Sequence, residues 1–301
     1  MIACIGGAHY DRRGQLDAPS IPGTSNPGKM RMDFGGVARN VACNLARLGC
    51  GVAMVSRVGA DAAGREVCEN LAAVGIHTAG VTVSAARPTA SYTAILEPGG
   101  QLVIGVADME IYEEMTPAVL QPALPALQEC RLWFADANLP AATLAWVLDR
   151  AGGIPVAVDA ISVAKSRRLV DLLPRISVLF CNREQAVVMA GLADPRPSAS
   201  AAARGLMASG ARAGVVSAEA HGIAVWEHGH VQAMRAAAAQ PRDVTGGGDA
   251  LAAGTLYGLA NGETLAQATG GWGRAAAAVT VESEFSAVPD LTRAMLEARR
   301  G

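Results

Sequence analysis

The chain has 301 residues, 51% hydrophobic and 17% charged, which supplies a sizeable core and excludes the composition of a disordered polymer. Its formal net charge of −2, with acidic and basic residues interspersed and no basic block interleaved with aromatics, argues against nucleic acid as a partner. The first residues have neither a basic n-region nor a long apolar run, and no apolar stretch approaches the roughly eighteen residues of a membrane span, so a cytoplasmic protein without membrane attachment is expected.

Short apolar runs alternate with longer helical patterns. Strands are predicted at Ile2–Ile5, 52–56, 132–135, 156–158, 178–180 and 215–217, and helices at 37–48, 63–74, 141–151, Arg183–Ala190 and 199–209. Such alternation implies parallel strands joined by right-handed crossovers, with helices on both faces. Two segments break the rhythm. Residues 15–33 are polar and carry Pro19, Pro22 and Pro27, while 89–106 reads as a hairpin, Ser91–Leu96 and 102–106, around Pro98-Gly99-Gly100. They are either edge strands of the main sheet or a small separate sheet, a lid over the strand ends. No linker, repeat or composition break divides the chain, so a single domain of residues 1–301 is expected, with a lid from about 12–34 and 89–110.

Several local patterns are set aside. Cys4, Cys43, Cys50, Cys68, Cys130 and Cys181 contain no C-x-x-C pair and read as buried free thiols, which suits a reducing compartment. His228 and His230 lack a third ligand nearby and read as surface residues. Residues 23–30 nearly spell a Walker A loop, but Met30 stands where a hydroxyl is required, and Pro22 and Pro27 oppose a strand feeding a helix. Gly271-Trp272-Gly273 lies within a helical pattern beginning near Glu263, not after a strand as a dinucleotide fingerprint demands.

Residues 243–254, Asp-Val-Thr-Gly-Gly-Gly-Asp-Ala-Leu-Ala-Ala-Gly, carry the densest chemical signal. Gly246, Gly247 and Gly248 leave the backbone free to turn its N–H groups toward one point. The alanine-rich run from Ala250 to Leu259 reads as a helix, so those groups would crown its positive end, a site for phosphate oxygens gathering charge. Asp249 brings a carboxylate to the same point, suited to take a proton from an attacking hydroxyl. The plainer alternative is a glycine turn with an Asp favoured near a helix start. A second stretch, Gly35-Gly36-Val37-Ala38-Arg39-Asn40, opens a helix with paired glycines and places Asn40 in its first turn, where an amide can bond hydroxyls as donor and acceptor. The plainer alternative is a glycine-capped helix with a packing Asn. Asp11, just past the first strand and Gly6-Gly7, suits paired sugar hydroxyls or a simple turn.

These pieces, in this order, resemble the ribokinase-like (phosphofructokinase-B type) family of carbohydrate and nucleoside kinases, from Ile2 to about Leu296. The resemblance implies an α/β fold, a three-layer sandwich with a mostly parallel central sheet and a small β-sheet lid, and a phosphotransferase using ATP and Mg²⁺. It implies that Asp11, Gly35, Gly36 and Asn40 hold the sugar, that Asp249 is the base, and that Gly246, Gly247 and Gly248 form the anion hole. Asn182 would lie near the ATP phosphates and Mg²⁺, with Ser217, Gly222 and Thr245 along the nucleotide groove. It also implies a monovalent cation, K⁺, at Asp243 and Thr245, and a homodimer through the lid.

Within the family, Ser25-Asn26-Pro27-Gly28-Lys29, Arg39-Asn40, Asp108-Met109, Ala135-Asp136-Ala137-Asn138 and Asn182-Arg183 are similar to pseudouridine kinases. That likeness implies 5′-phosphorylation of pseudouridine, with Asn138 and Arg39 among the substrate contacts and Asn26 over the base. Ribokinase, another nucleoside or sugar kinase, or a catalytically weak nucleoside-binding homologue are the alternatives. Four positions depart from the family's pattern. Neutral Gln185 stands where the N-x-x-E motif has the glutamate that orders Mg²⁺ waters, leaving Glu184 to compensate. His9 stands where the pseudouridine branch usually has Asn, Glu219-Ala220 replaces a glycine-rich stretch beside the ATP groove, and Gly247 replaces a common Ala.

Overall fold

Ile2-Ala3-Cys4-Ile5 is buried on both faces in the computed structural model of the chain, which describes residues 1–300; Gly301, the last residue of the expected single domain, lies outside the described residues. Its side chains alternate between two cores, as a strand covered on both faces requires. Ile2 and Cys4 pack with Val41 and Leu45 of the Val37–Arg47 helix and Leu256 of the Gly247–Ala260 helix. Ala3 and Ile5 pack with Trp133, Leu144 of the Ala141–Arg150 helix and Leu206 of the Ala199–Ala208 helix. Helices therefore cover both faces, giving the expected three layers.

In chain order the strands are β1 (Ile2–Ile5), β2 (His9–Leu16), β3 (Gly28–Gly35), β4 (Val52–Gly59), β5 (His77–Ser84), β6 (Ser91–Leu96), β7 (Leu102–Asp108), β8 (Leu132–Asp136), β9 (Val156–Asp159), β10 (Val178–Asn182), β11 (Gly214–Ser217), β12 (Ile223–Glu227) and β13 (His230–Met234). The large sheet runs β13-β12-β11-β10-β9-β8-β1-β4-β5, parallel from β11 to β5, with β12 and β13 added antiparallel at one edge. From β1 the chain builds outward to β4 and β5 on one side and to β8 through β11 on the other. At such a reversal the crossover helices diverge and leave a crevice at the carboxyl ends of the strands.

The two excursions meet as a separate sheet, β3-β2-β6-β7, and do not extend the edges of the large one. β2 pairs antiparallel with β3 and parallel with β6, and β6 antiparallel with β7. Only Gly6, Gly7 and Ala8 separate β1 from β2, so this sheet begins at His9, earlier than expected. Register puts His9, Asp11 and Arg13 opposite Gly35, Asp33 and Arg31 on one face. Met30, Met32, Ile104 and Val106 share the other face, each more than half exposed. The helix expected from near Glu263 is broken by a π turn at Thr269–Gly273, where Gly270 and Gly271 weaken the regular ladder.

β8 ends in Asp136, which is fully buried. Its Oδ2 accepts the N–H groups of Gly7 (2.9 Å) and Ala38 (3.0 Å), and its Oδ1 that of Asn138 (3.0 Å). Gly6 leaves room for it, since a Cβ there would lie 2.3 Å from the Asp136 carboxyl carbon. One carboxylate thus ties together the end of β1, the start of the Val37–Arg47 helix and the loop after β8. Asp136→Ala strands these buried donors and is expected to cost about 3–5 kcal/mol in equilibrium denaturation; a loss below about 1 kcal/mol would show that the knot is not what joins them.

Candidate active site

The Gly247–Ala260 helix starts at Gly246, whose φ of +78° is left-handed and whose added Cβ would lie 2.1 Å from Ser286 O, so only glycine fits. The helix start does not present all three glycine amides. Gly247 N–H turns back to Val244 O at 3.3 Å, whereas those of Gly246, Gly248 and Asp249 have no acceptor among the described residues. The donor cluster is therefore displaced from the expected Gly246, Gly247 and Gly248, because the turn entering the helix consumes the middle amide. A Cβ on Gly248 would meet nothing within 4 Å, which leaves the approach to these donors open.

Asp249 lies in the first turn of this helix, and Asn40 Nδ2 donates to its Oδ2 at 2.8 Å. The Asn40 amide is oriented by Arg39, whose Nη1 donates to Asn40 Oδ1 at 3.0 Å. Arg39 was expected among substrate contacts, but its guanidinium points inward, bonding Phe34 O and Asn70 Oδ1 and stacking on the Phe34 ring. Its role is to hold Asn40. Gly36, at φ +104°, lets Gly7 O approach, and Gly35 lies under Asp11, whose Oδ2 would be 2.3 Å from a Cβ there. Asp11, Gly35, Gly36, Asn40 and Asp249 thus converge at the crevice beside the end of β1.

Asn138 faces the same crevice, its Nδ2 only 2.7 Å from where a Gly7 Cβ would sit. Its Oδ1 accepts from the half-buried Lys165, which fixes the orientation of the amide. Neither Lys165 nor Asp159 was singled out from sequence. Asp159 ends β9 beside Asp136 as that residue ends β8, and the shared signal is an Asp closing an apolar run. Asn182 ends β10 and caps the next helix: its Oδ1 accepts Gln185 N–H, and Gln185 Oε1 accepts Asn182 N–H at 2.8 Å. Gln185 is therefore committed through its oxygen to the helix start, and Glu184 pairs with Arg183 on the surface. Ser217 ends β11 and Gly222, at φ +99°, opens β12, with Glu219 exposed in the turn between them.

Two expected groups are not brought in. Asn26 sits past the far end of β2, where its amide bonds Ile21 N–H, Ile21 O and Thr24 O within its own loop. From Asp11 to Leu16 alone the strand advances about 17 Å, which keeps Asn26 from the crevice. Asp243 Oδ1 accepts Thr245 N–H, and its Oδ2 is ion-paired with Arg13 from β2. A guanidinium thus already neutralises the carboxylate expected to hold a monovalent cation, and Asp243 and Thr245 do not fit that ion here.

Burial pushes Asp249 up to about 6, with the charges of Asp136 and Asp11 acting in the same direction and Asn40 and His9 opposing. Burial, then the charges of Asp249 and Asp136, raises Asp159 to about 8. Such crowding of carboxyl groups in a crevice is a mark of functional sites.

Residues 1–292 match the pfkB family of carbohydrate kinases. The chain belongs to this family. A carbohydrate kinase from Agrobacterium tumefaciens has a similar structure, with a TM-score of 0.86 at 36% identity over 99% of this chain and 96% of that one. A ribokinase from Arabidopsis thaliana, solved with ribose and ATP, gives 0.85 at 20% identity over 98% and 96%, a likeness of fold. The pseudouridine kinase of Escherichia coli (strain K12) is 32% identical over 192 residues, 64% of this chain and 61% of that protein. That of Arabidopsis thaliana is 26% identical over 189 residues, 62% and 49%. The matched region thus spans about half to three fifths of the length of these curated relatives. Among the described residues no helix is long and apolar enough to cross a membrane.

Were Asp249 to serve as a base it would have to be ionised, and turnover would then rise with pH through about 6 and level off, as read from a kcat–pH profile. Because the folded state holds this proton more tightly than the unfolded state, the group's contribution to stability falls as pH rises from 3.8 to about 6. Asp249→Asn is therefore expected to raise the melting midpoint at pH 7, by up to about 3 kcal/mol of stability; an unchanged or lowered midpoint would mean that the carboxylate is not strained.

Proposed function

We propose that the protein transfers the γ-phosphoryl group of ATP to the 5′-hydroxyl of pseudouridine, giving pseudouridine 5′-phosphate. The observation that carries phosphoryl transfer is the Asp249 carboxylate, held by Asn40 in the first turn of a helix whose Gly246, Gly248 and Asp249 N–H groups are free. Asp249 accepts the hydroxyl proton as the oxygen attacks the γ-phosphorus. The bond to the departing ADP oxygen breaks, and the free amides hold the charge on the phosphoryl oxygens. Asp11 and Asn40 orient the ribose, Gly35 and Gly36 let it approach, and Asn138 offers its amide nitrogen to the substrate. Asn182, Ser217, Gly222 and Thr245 line the nucleotide side, and the small sheet acts as a lid that excludes water. Mg²⁺ suits the hard oxygens of Asp159 and Asn182 at neighbouring strand ends, where it would neutralise phosphate charge.

The choice of pseudouridine is supported by the likeness to the two pseudouridine kinases. Asn26, bound into its own loop, favours the alternative of a ribokinase or another nucleoside or sugar kinase. Gln185, neutral where the family motif has glutamate, favours a catalytically weak homologue. An ADP-release assay with pseudouridine, uridine, adenosine, inosine and ribose separates these: pseudouridine is expected to give the highest kcat/KM, and preference for ribose would replace this reading. Asp249→Asn is expected to lower kcat 10²- to 10⁴-fold or more with binding retained, where near-native turnover would remove the base from the mechanism.

The same reading sets the enzyme in the cytoplasm and pairs two copies through the outer face of the small sheet. Met30, Met32, Ile104 and Val106 supply an apolar patch there. Wild type is expected to give twice the chain mass in light scattering, and Met32→Lys with Ile104→Glu the single mass. A monomeric wild type would exclude the pairing.

A further inference from the structure

Asp11, read above as the clamp on the acceptor's hydroxyls, is the end of a chain of polar groups. Its Oδ1 lies 3.4 Å from His9 Nε2, and His9 Nδ1 lies 3.1 Å from the Tyr112 hydroxyl. That first contact is long for a hydrogen bond. Tyr112 is 1% exposed, within the turn Glu110–Glu114 that brings the chain back from β7 to the main body. Burial, then the nearby Asp136 charge, pushes its phenol far above the ordinary value, while Ala8 N–H opposes. Tyr112 therefore remains an O–H, and a hydroxyl that donates to Nδ1 leaves the imidazole proton on Nε2, facing Asp11.

We infer that Tyr112 and His9 form a positioning relay: the phenol selects the Nε2–H form of His9, which holds Asp11 Oδ1 so that Oδ2, lying over Gly35, is presented to the acceptor. The relay rests on the reading of Asp11 as an acceptor contact. It joins the exit of the small sheet to that contact through a side chain departing from the family's pattern at its middle position.

Three variants resolve it. His9→Gln keeps a donor at the Nε2 position, His9→Asn keeps only the side facing Tyr112, and Tyr112→Phe removes the selection of the imidazole form. With whichever acceptor the wild type phosphorylates, His9→Asn is expected to raise the acceptor KM about tenfold or more with the ATP KM unchanged. Tyr112→Phe raises it several-fold, and His9→Gln recovers most of the loss. Equal effects of Gln and Asn, or a parallel rise in the ATP KM with a lowered melting midpoint, overturn the relay. Imidazole ¹⁵N NMR reads it without turnover, since the chain has only five histidines and His9→Gln assigns the ring. The wild type is expected in the Nε2–H form at neutral pH and Tyr112→Phe as a mixture; an Nδ1–H form in the wild type overturns the relay. Failure of the functional reading would appear separately, as a wild type that turns over none of the acceptors, and the NMR result would still decide the relay.

Discussion

The Asp136 carboxylate is fully buried, and its charge is tolerated there only because backbone donors from three separate segments converge on it. Burial raises its proton affinity and the N–H groups of Gly7, Ala38 and Asn138 lower it again, with Lys165 adding a positive charge. Those segments carry the rest of the crevice. Gly7 leads to His9 and Asp11, Ala38 fixes the turn of Asn40, and Asn138 stands directly beyond. The spacing between the groups that line the crevice is therefore set by one buried side chain.

Two asparagines show how the same logic repeats around the crevice. Asn40 and Asn138 each give their carbonyl oxygen to a cation, Arg39 and Lys165 respectively, so that Asn40 turns its amide nitrogen to Asp249 and Asn138 turns its own toward Gly7. An amide alone can flip at little cost, so a fixed cation on one end converts an ambiguous group into a directional donor. Desolvation lowers the proton affinity of Lys165, and the Asp136 charge restores part of it, so even this cation depends on the central carboxylate.

Much of this architecture was readable because the chain uses strong signals where it needs them. β1, β8, β9, β10 and β11 are continuous apolar runs, and buried parallel strands have no polar face to blur them. Gly35-Gly36 and the three glycines before Asp249 advertised close backbone approach, and the structure brings both to one crevice. β5, β12 and β13 went unseen: β5 and β13 lie at the sheet's edges with half-exposed residues, and the two-residue turn His228-Gly229 between β12 and β13, both at positive φ, is a weaker hairpin signal than Asn-Gly or Asp-Gly. Arg39 and Asn26 were misplaced for a different reason. A sequence states that a polar residue is near a site, and only packing decides whether its head group faces the ligand or the protein. Asp136, Asp159 and Lys165 gave no independent signal, because an acid after an apolar run also looks like an ordinary strand boundary.

The Arg13–Asp243 pair reaches from the small sheet to the loop ahead of the glycine turn, and both side chains remain about a quarter exposed. Partly shielded in this way, the pair is screened less by salt than a fully exposed one. Its placement ties the small sheet to the loop ahead of the glycine turn through a single pair of side chains, so the two sides of the crevice share one electrostatic joint.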